Sequence, residues 1–313
     1  MYKFAIIGAC GYIAPRHLQA INDTGNKLIS AYDPMDSVGV LDKYSQDVQY
    51  FKSFEEFNFY NRHTLKDQID YITICSPNYM HKHHIAASLE MGANVICEKP
   101  LVLTTSDIDE LREIEKKTGK KVYTILQLRV HEAIKSLKTK INESISKENN
   151  KKQIDLCYIT SRGPWYHQTW KANDKFSGGL PTNIGIHFFD MLTWLFGSVE
   201  KNELHMASEN TFGGYIELEH AQVKWLLSIN KNNLPVSAKN SGKTTYRSIT
   251  IDNEEIEFSG GFTDLHTRVY ENIFAGNGYG LDDSYEAIKI AEQIRNMASI
   301  GVNEKSHSIL KSL

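Results

Sequence analysis

Short apolar runs alternate with helix-like stretches over residues 1–126. The runs lie at 4–7, 28–33, 69–75, 94–97 and 122–126, and the helix-like stretches lie at 14–23 and 106–118. In the second of these, Ile108, Leu111 and Ile114 recur at helical spacing, and Gly119 follows at a C-cap position. Strands that are apolar on both faces and separated by helices predict βαβ units. They therefore predict a doubly wound α/β domain with a parallel sheet.

The pattern changes after residue 126. Helix-like stretches are expected at 131–146, 180–196, 264–274 and 284–299, with a polar loop at 147–153. Strand-like runs lie at 154–161, 215–218, 221–229, 246–251 and 254–258, and the Asp252-Asn253 pair separates the last two as a hairpin turn. Strands that follow strands indicate an α+β domain with a mostly antiparallel, open sheet. The chain is predicted to divide into domains 1–126 and 127–313.

Composition narrows the class of protein. The 313 residues carry a formal net charge of −3, and 41% are hydrophobic, which is an ordinary globular balance and does not suggest a nucleic-acid binder. The four cysteines show neither metal-ligand spacing nor a disulfide framework. No apolar run reaches the roughly 20 residues of a membrane span, and the N-terminal run is too short for a signal peptide. We expect a soluble cytoplasmic protein without a metal, a nucleic-acid partner or a membrane partner.

A glycine-rich turn, Gly8-Ala9-Cys10-Gly11-Tyr12-Ile13-Ala14, joins the first strand to the first helix. Small residues let the backbone approach a pyrophosphate, and the helix N-terminus presents free N–H groups to it. The spacing is G-x-x-G-x-x-A, one residue longer than the usual dinucleotide turn. We expect Gly8, Gly11, Tyr12 and Ile13 to contact a dinucleotide; the alternative is a tight turn alone.

Asp33 ends the second strand, about 20 residues after the turn, where a carboxylate accepts hydrogen bonds from an adenine ribose. It would also repel a 2′-phosphate, so it favours NAD over NADP. The alternative is that Asp33 only begins the Asp33-Pro34 turn. With the glycine-rich turn, it predicts a Rossmann domain that binds NAD.

Two further motifs suggest a family. Ser76-Pro77-Asn78-Tyr79-Met80-His81 follows one predicted strand and Cys97-Glu98-Lys99-Pro100 follows the next. With the glycine-rich turn, they resemble the Gfo/Idh/MocA oxidoreductases, and the resemblance extends over nearly the whole chain, including Gly178-Gly179 and the segment 183–187. The resemblance implies that the cofactor lies near seven residues: Ser76, Pro77, Asn78, His81, Glu98, Lys99 and Gln127.

Within that family, the segments 11–17, 126–129 and 162–192 are similar to the UDP-N-acetyl-2-amino-2-deoxyglucuronate dehydrogenases. That resemblance implies NAD-dependent oxidation of the 3-hydroxyl of a nucleotide-linked uronic acid, in the synthesis of surface-polysaccharide precursors such as lipopolysaccharide O-antigen. It also implies a homo-oligomer, and specifically a tetramer. NADH is either released or recycled in place by 2-oxoglutarate. The alternatives are an NAD-dependent glycosidase, another sugar or inositol dehydrogenase, and a catalytically silent NAD-binding regulator.

Alcohol oxidation needs a base and a group that polarises the hydroxyl. Lys99 follows a buried strand, at the end of the sheet where open α/β domains bind ligands. His187 lies four residues after Asn183 on the same predicted helix face, with Asp190 placed to orient its ring. We expect His187 to be the base and Lys99 the polarising group, although the roles can be reversed. Asn183 stands where many family members have Asp, and an amide binds a hydroxyl but cannot take a proton.

A nucleotide-linked uronate carries phosphates and a carboxylate, which cationic side chains bind. The candidates are Arg16, Arg162 and Lys171, with Arg129 as a further possibility, and each could equally be an ordinary surface residue. Tyr166 and Trp165 could stack on a ring or pack in the core. His81 and His84 lie three residues apart, but no third ligand lies near them in sequence, so no metal site is expected there.

Overall fold

The computed structural model describes residues 1–44, 47–64, 68–145, 150–256 and 263–313. The chain forms two compact units. The first consists of Met1–Val130 and Thr263–Tyr285, and the second consists of 131–262 and Glu286–Leu313. The predicted boundary after residue 126 assigns everything beyond it to the second domain. The structure differs, because it groups residues 263–285 with the first unit.

The secondary-structure elements are numbered in chain order. The strands are β1 (Lys3–Ile7), β2 (Lys27–Tyr32), β3 (Gln49–Phe51), β4 (Tyr71–Ile74), β5 (Asn94–Cys97), β6 (Val122–Thr124), β7 (Lys152–Thr160), β8 (Val199–Ala207), β9 (Thr211–Leu218), β10 (Ala221–Ser228), β11 (Thr245–Ile251) and β12 (Glu254–Glu255). The helices are α1 (Ala14–Asp23), α2 (Phe54–Phe59), α3 (His81–Glu90), α4 (Thr105–Thr118), α5 (Glu132–Ile145), α6 (Asp174–Ser177), α7 (Ile186–Phe196), α8 (Val236–Asn240), α9 (Leu265–Phe274), α10 (Leu281–Asn296) and α11 (Ser308–Lys311).

The first unit contains a parallel sheet with the strand order β3-β2-β1-β4-β5-β6. Its central strands are buried on both faces, as their apolar sequences predict; Phe4, Ile6 and Ile72 are fully buried. Strand order reverses between β1 and β4, so the carboxyl ends of these strands flank the crevice where doubly wound sheets bind ligands. The predicted parallel, doubly wound sheet is confirmed.

Local sequence accounts for the ends of α4. Thr104 accepts a hydrogen bond from the backbone N–H of Asp107 (3.2 Å), which caps the N-terminus. Gly119 adopts a left-handed conformation with φ of 69° and ends the helix, as predicted.

The second unit contains a mixed sheet with the strand order β12-β11-β7-β10-β9-β8, in which β7 and β10 are parallel and the other neighbours are antiparallel. Asp252 and Asn253 both have positive φ, 51° and 71°, as a two-residue hairpin turn between β11 and β12 requires. Of the predicted strand 254–258, Glu254–Glu255 is observed, and 257–258 lie outside the described residues. Strand β7 begins at Lys152, so the last two positions of the predicted loop at 147–153 are strand, and 147–149 lie outside the described residues.

The predicted helix at 180–196 consists of two parts. A π-helical turn at Pro181–Gly185 leads into α7, whose apolar side packs on the sheet; the ring of Phe189 meets Trp225 edge-on at 5.6 Å. Both side chains are fully buried, and burial of such a residue contributes about 1.5–3 kcal/mol. On the opposite face of the sheet, Leu226 belongs to a core that includes Ala238 of α8 and Leu310 of α11.

No helix among the described residues is both long enough and apolar enough to cross a bilayer.

Candidate active site

The glycine-rich turn lies directly against the end of β4. The N–H of Gly8 donates to the carbonyl of Tyr32 (2.8 Å), and Gly8 has φ of 87°. A Cβ at Gly8 would lie 2.6 Å from the carbonyl carbon of Cys75 and 2.7 Å from the nitrogen of Ser76, so no other residue fits. A Cβ at Gly11 would meet the carbonyl oxygens of Gly8 and Cys75 at 3.2 and 3.4 Å. The close approach fixes the turn against the end of β4, and the turn leads directly into the N-terminus of α1.

Asp33 ties this turn to the end of β2. Its carboxylate accepts hydrogen bonds from the N–H of Cys10 (2.9 Å, Oδ2) and the N–H of Met35 (2.9 Å, Oδ1). Asp33 therefore begins a turn, as the alternative interpretation held, and also braces the glycine-rich turn. Each oxygen retains a lone pair that a ribose hydroxyl can use. Burial, together with the negative charge of Asp33, raises the pKa of the Cys10 thiol to about 11.

The other predicted contacts of the glycine-rich turn and its helix are more open to solvent. Tyr12 is 87% exposed, Arg16 is exposed, and Ile13 is partly buried at the N-terminus of α1. Gln127 is partly buried in the short 3-10 helix that follows β6. These side chains are therefore available to a ligand.

His81 joins the loop after β4 to the loop after β5. Its Nδ1 contacts the carbonyl of Pro100 (2.7 Å) and its Nε2 contacts the carbonyl of Ser76 (2.8 Å). Burial lowers the pKa of His81, so the ring stays neutral and donates to one of these carbonyls at a time. The Ser76 hydroxyl contacts Nδ1 of His84 (2.8 Å). Pro77 precedes a 3-10 helix at Asn78–Met80, in which Asn78 is buried.

Glu98 has buried partners that sequence reasoning missed. Its Oε1 contacts Nε2 of His17 and Nε2 of His266, each at 2.9 Å, and its Oε2 accepts from the N–H of Lys99 at 3.1 Å. Burial raises the pKa of Glu98, but the hydrogen bonds from the two histidines outweigh it, and the pKa lies well below its usual range. The carboxylate expected at the cofactor is thus held by the protein itself.

Nothing in the sequence pattern could have identified these partners, because His17 and His266 lie 81 and 168 residues from Glu98. Among the residues that the structure describes, His17, Glu98 and His266 are the one group of three possible metal ligands that converge. Lys99 is partly buried, so it is neither a freely solvated lysine nor a core residue.

In the second unit, the structure brings four predicted substrate residues together. The amide of Asn183 donates to the hydroxyl of Tyr166 (3.2 Å). Burial raises the pKa of Tyr166, while the bond from Asn183 and the charge of Arg162 lower it. Burial and the charge of Arg162 lower the pKa of Lys171, whose ammonium lies 5.7 Å from the Trp165 ring centre. The result is a cluster of two cations, an amide and an aromatic hydroxyl.

His187 and Asn183 lie on the accessible side of the π-helical turn and the start of α7. Both are partly buried, whereas the three residues between them are buried. Asp190 is 2% exposed. The predicted common face of Asn183 and His187 agrees with this pattern. Arg129, by contrast, is buried and forms an ion pair with Asp283 (2.7 Å), so its charge is already neutralised within the first unit.

Comparison with known proteins places this arrangement in a family. Residues 2–126 match the oxidoreductase family with an NAD-binding Rossmann fold, and residues 151–245 match the C-terminal α/β domain of the same family. A WlbA (WbpB) dehydrogenase from Thermus thermophilus, solved with NAD and UDP-GlcNAcA, is 44% identical, with a TM-score of 0.94 over 98% of this chain and 99% of that one. A second structure of that enzyme contains NAD and alpha-ketoglutarate and is 45% identical, with a TM-score of 0.94 and the same coverage of both chains.

Curated relatives match over shorter stretches. Glucose-6-phosphate 3-dehydrogenase from Bacillus subtilis is 29% identical over 216 residues, which is 67% of this chain and 58% of that protein. The chain thus spans less than two thirds of the length of that relative. The two family matches together cover the first sheet and strands β7 to β10 of the second. They agree with the glycine-rich turn and with the two motifs that follow β4 and β5. The chain belongs to the Gfo/Idh/MocA family of NAD-binding oxidoreductases.

Proposed function

We propose that this protein is an NAD-dependent dehydrogenase that oxidises the 3-hydroxyl of UDP-N-acetylglucosaminuronic acid. The observation that carries the proposal is the 44% identity, over nearly the full chain, to a dehydrogenase solved with NAD and UDP-GlcNAcA. The role would be the supply of precursors for surface polysaccharides, including lipopolysaccharide O-antigen.

The first unit has the features that NAD requires. A side chain does not fit at Gly8 and would be tight at Gly11, and glycines at such a turn let the backbone at the start of α1 approach a pyrophosphate. Asp33 offers its carboxylate to the adenine ribose and opposes a 2′-phosphate. We assign further cofactor contacts to the loops that follow β4, β5 and β6. They are Tyr12, Ile13, Ser76, Pro77, Asn78, His81, Glu98, Lys99 and Gln127.

NAD held by these residues would supply the acceptor for the hydride that leaves the sugar carbon. Lys99, fixed at its backbone by Glu98, polarises the hydroxyl, and His187 takes its proton. Asn183 binds the hydroxyl but cannot act as a base. Its amide donates to the Tyr166 hydroxyl, which orients the side chain that would bind the sugar hydroxyl.

The cationic cluster of the second unit suits an anionic substrate. Arg162 and Lys171 lie close enough for the charge of Arg162 to lower the pKa of Lys171, and an anion between them would relieve that repulsion. We assign phosphate and carboxylate contacts to Arg162, Lys171 and Arg16, and ring contacts to Tyr166. A related enzyme was solved with alpha-ketoglutarate, which supports 2-oxoglutarate as an oxidant that recycles NADH in place.

The experiment mixes the purified protein with NAD and UDP-N-acetylglucosaminuronic acid and follows NADH absorbance. Lys99→Ala and His187→Ala should abolish NADH formation. The matched controls are Lys82→Ala, which removes a lysine paired with Asp107 and Glu110, and His220→Ala, which removes a partly exposed histidine; both should retain wild-type rates. A single burst that turns over only with 2-oxoglutarate would establish recycling. Bound NAD without any reaction would refute the substrate.

We further propose a homo-oligomer, specifically a tetramer, that uses the part of the second sheet's face away from α7 that α8 and α11 do not cover. On β10, Val223 and Trp225 are fully buried on the α7 side, whereas Gln222 and Lys224 on the other side are partly exposed and available to a partner. A monomeric mass by light scattering would refute this. A cytoplasmic location is also proposed, because all four cysteines are free.

A further inference from the structure

A chain of buried polar groups extends from the core of the first unit to the loop that carries Lys99. Thr73 contacts the hydroxyl of Tyr270 (2.8 Å), and that hydroxyl contacts Nδ1 of His17 (2.9 Å). His17 and His266 then meet on one oxygen of Glu98, each at 2.9 Å. None of these five residues is more than 6% exposed.

One assignment of protons satisfies every contact. Glu98 is ionised, because the histidines hold its pKa well below the usual range, and it accepts two N–H bonds at Oε1. Burial lowers the pKa of His17, which leaves its ring neutral with the proton on Nε2. Its Nδ1 then accepts from the Tyr270 hydroxyl, and the Tyr270 oxygen accepts from Thr73. The network therefore has a single direction and ends on the carboxylate.

The same geometry argues against a metal between these residues. In a tetrahedral site with metal–ligand bonds of ~2.0 Å, neighbouring ligand atoms lie roughly 3.3 Å apart. Both histidine nitrogens instead lie 2.9 Å from one carboxylate oxygen, which is the separation of an N–H···O hydrogen bond.

The second oxygen of Glu98 contacts the backbone of Lys99. With Oε1 held by two ring N–H groups, the carboxylate has one orientation, and Oε2 accepts from the backbone N–H of Lys99 (3.1 Å). We infer that His17, His266 and Tyr270 are positioning residues that hold Lys99 through Glu98. This inference rests on the proposed role of Lys99. It also gives a function to α9, which supplies His266 and Tyr270 from a distant part of the chain.

Placement errors of about 1 Å can cost up to ~100-fold in rate. His266→Leu should therefore lower kcat roughly tenfold to a hundredfold, while KM for UDP-N-acetylglucosaminuronic acid and Kd for NAD change less than about threefold. His266→Gln, whose amide N–H can reach Glu98 from the same side, should restore most of the rate.

Tyr270→Phe removes only the hydroxyl at the far end of the chain and should lower kcat several-fold. Its matched control is Tyr71→Phe, because both rings stack on Phe4. The control should keep the wild-type kcat. If His266→Leu does not fold, the comparison of Tyr270→Phe with Tyr71→Phe still tests the inference.

The outcomes separate this inference from the proposed function. If Lys99→Ala is inactive while folded His266→Leu and Tyr270→Phe keep the wild-type kcat, the inference is wrong and the role of Lys99 stands. If Lys99→Ala retains full activity, both are wrong. A loss confined to NAD affinity would also overturn the inference, because the network would then hold the cofactor and not the lysine. A fall in kcat that His266→Gln reverses would establish it.

Discussion

The close approach at Gly8 leads to a quantitative prediction. In Gly8→Ala, the new methyl group would lie 2.6–2.8 Å from three backbone atoms of Cys75 and Ser76, none of which can rotate away. A left-handed φ costs an alanine about 1–2 kcal/mol. Overpacking a filled site costs about 1–3 kcal/mol more. We expect Gly8→Ala to lower the free energy of unfolding by about 2–5 kcal/mol.

Gly25→Ala is the matched control. Gly8 precedes α1 and Gly25 follows it, and both have a positive φ, which is 71° at Gly25. Nothing lies within 4 Å of the position that a Cβ at Gly25 would take. This variant should show only the backbone cost of about 1–2 kcal/mol. The difference between the two variants therefore isolates the steric contact with the end of β4.

The assay is thermal and urea unfolding of both variants, with NAD affinity measured in parallel. The steric contact should lower the Tm of Gly8→Ala further than that of Gly25→Ala, by on the order of 5 °C. Gly8→Ala should also weaken NAD binding at least about tenfold, since the turn must move away from its position against β4. Equal losses of stability in the two variants would refute the steric argument, and unchanged NAD affinity in Gly8→Ala would refute the placement of the pyrophosphate.

Three further predictions test other parts of the site. Asp33→Ser should weaken NAD binding and lower the ratio of the Kd for NADP to the Kd for NAD. An unchanged ratio would show that Asp33 only braces the turn. Tyr166→Phe removes the hydroxyl that accepts from the Asn183 amide, and it should raise KM for the sugar nucleotide roughly fivefold. An unaltered KM in steady-state kinetics would show that this hydrogen bond does not support substrate binding. Burial lowers the pKa of His84 to about 3, below its unfolded value of ~6.5, so the unfolded state takes up protons first as the pH falls. The free energy of unfolding should therefore fall by about 2 kcal/mol between pH 7 and pH 5. Urea titrations should show a smaller fall for His84→Asn. An equally steep fall in this variant would exclude His84 as the source.

The sequence predicts those features of the fold that depend on local pattern. The strands with apolar residues on both faces, the hairpin turn at Asp252-Asn253 and the C-cap at Gly119 all follow from neighbouring residues. Strand β3 is only three residues long, and the first half of strand β8 carries Glu200, Lys201 and Glu203, so neither has a strand-like apolar run. Both strands form because partners in the sheet supply their hydrogen bonds.

The same distinction applies to the site. Gly8 and Asp33 were predictable because their roles follow from position after a strand. The partners of Glu98 were not, because α9 brings His266 to it across 168 residues. The charge of Arg129 suggested an anion-binding residue, but Asp283 neutralises it from 154 residues away. Sequence patterns therefore identify which residues carry chemistry, whereas the tertiary fold decides which of them remain available for it.

The return of residues 263–285 to the first unit has a consequence for synthesis on the ribosome. Until α9 has emerged, the first 130 residues lack Tyr270 and His266, and the buried groups of Thr73, His17 and Glu98 have no native partners on that side. Residues 1–130 therefore cannot complete their core while they are being made, although they leave the exit tunnel before α9. Their final folding step must wait for α9, so a fragment that ends at residue 130 should not fold into the native first unit.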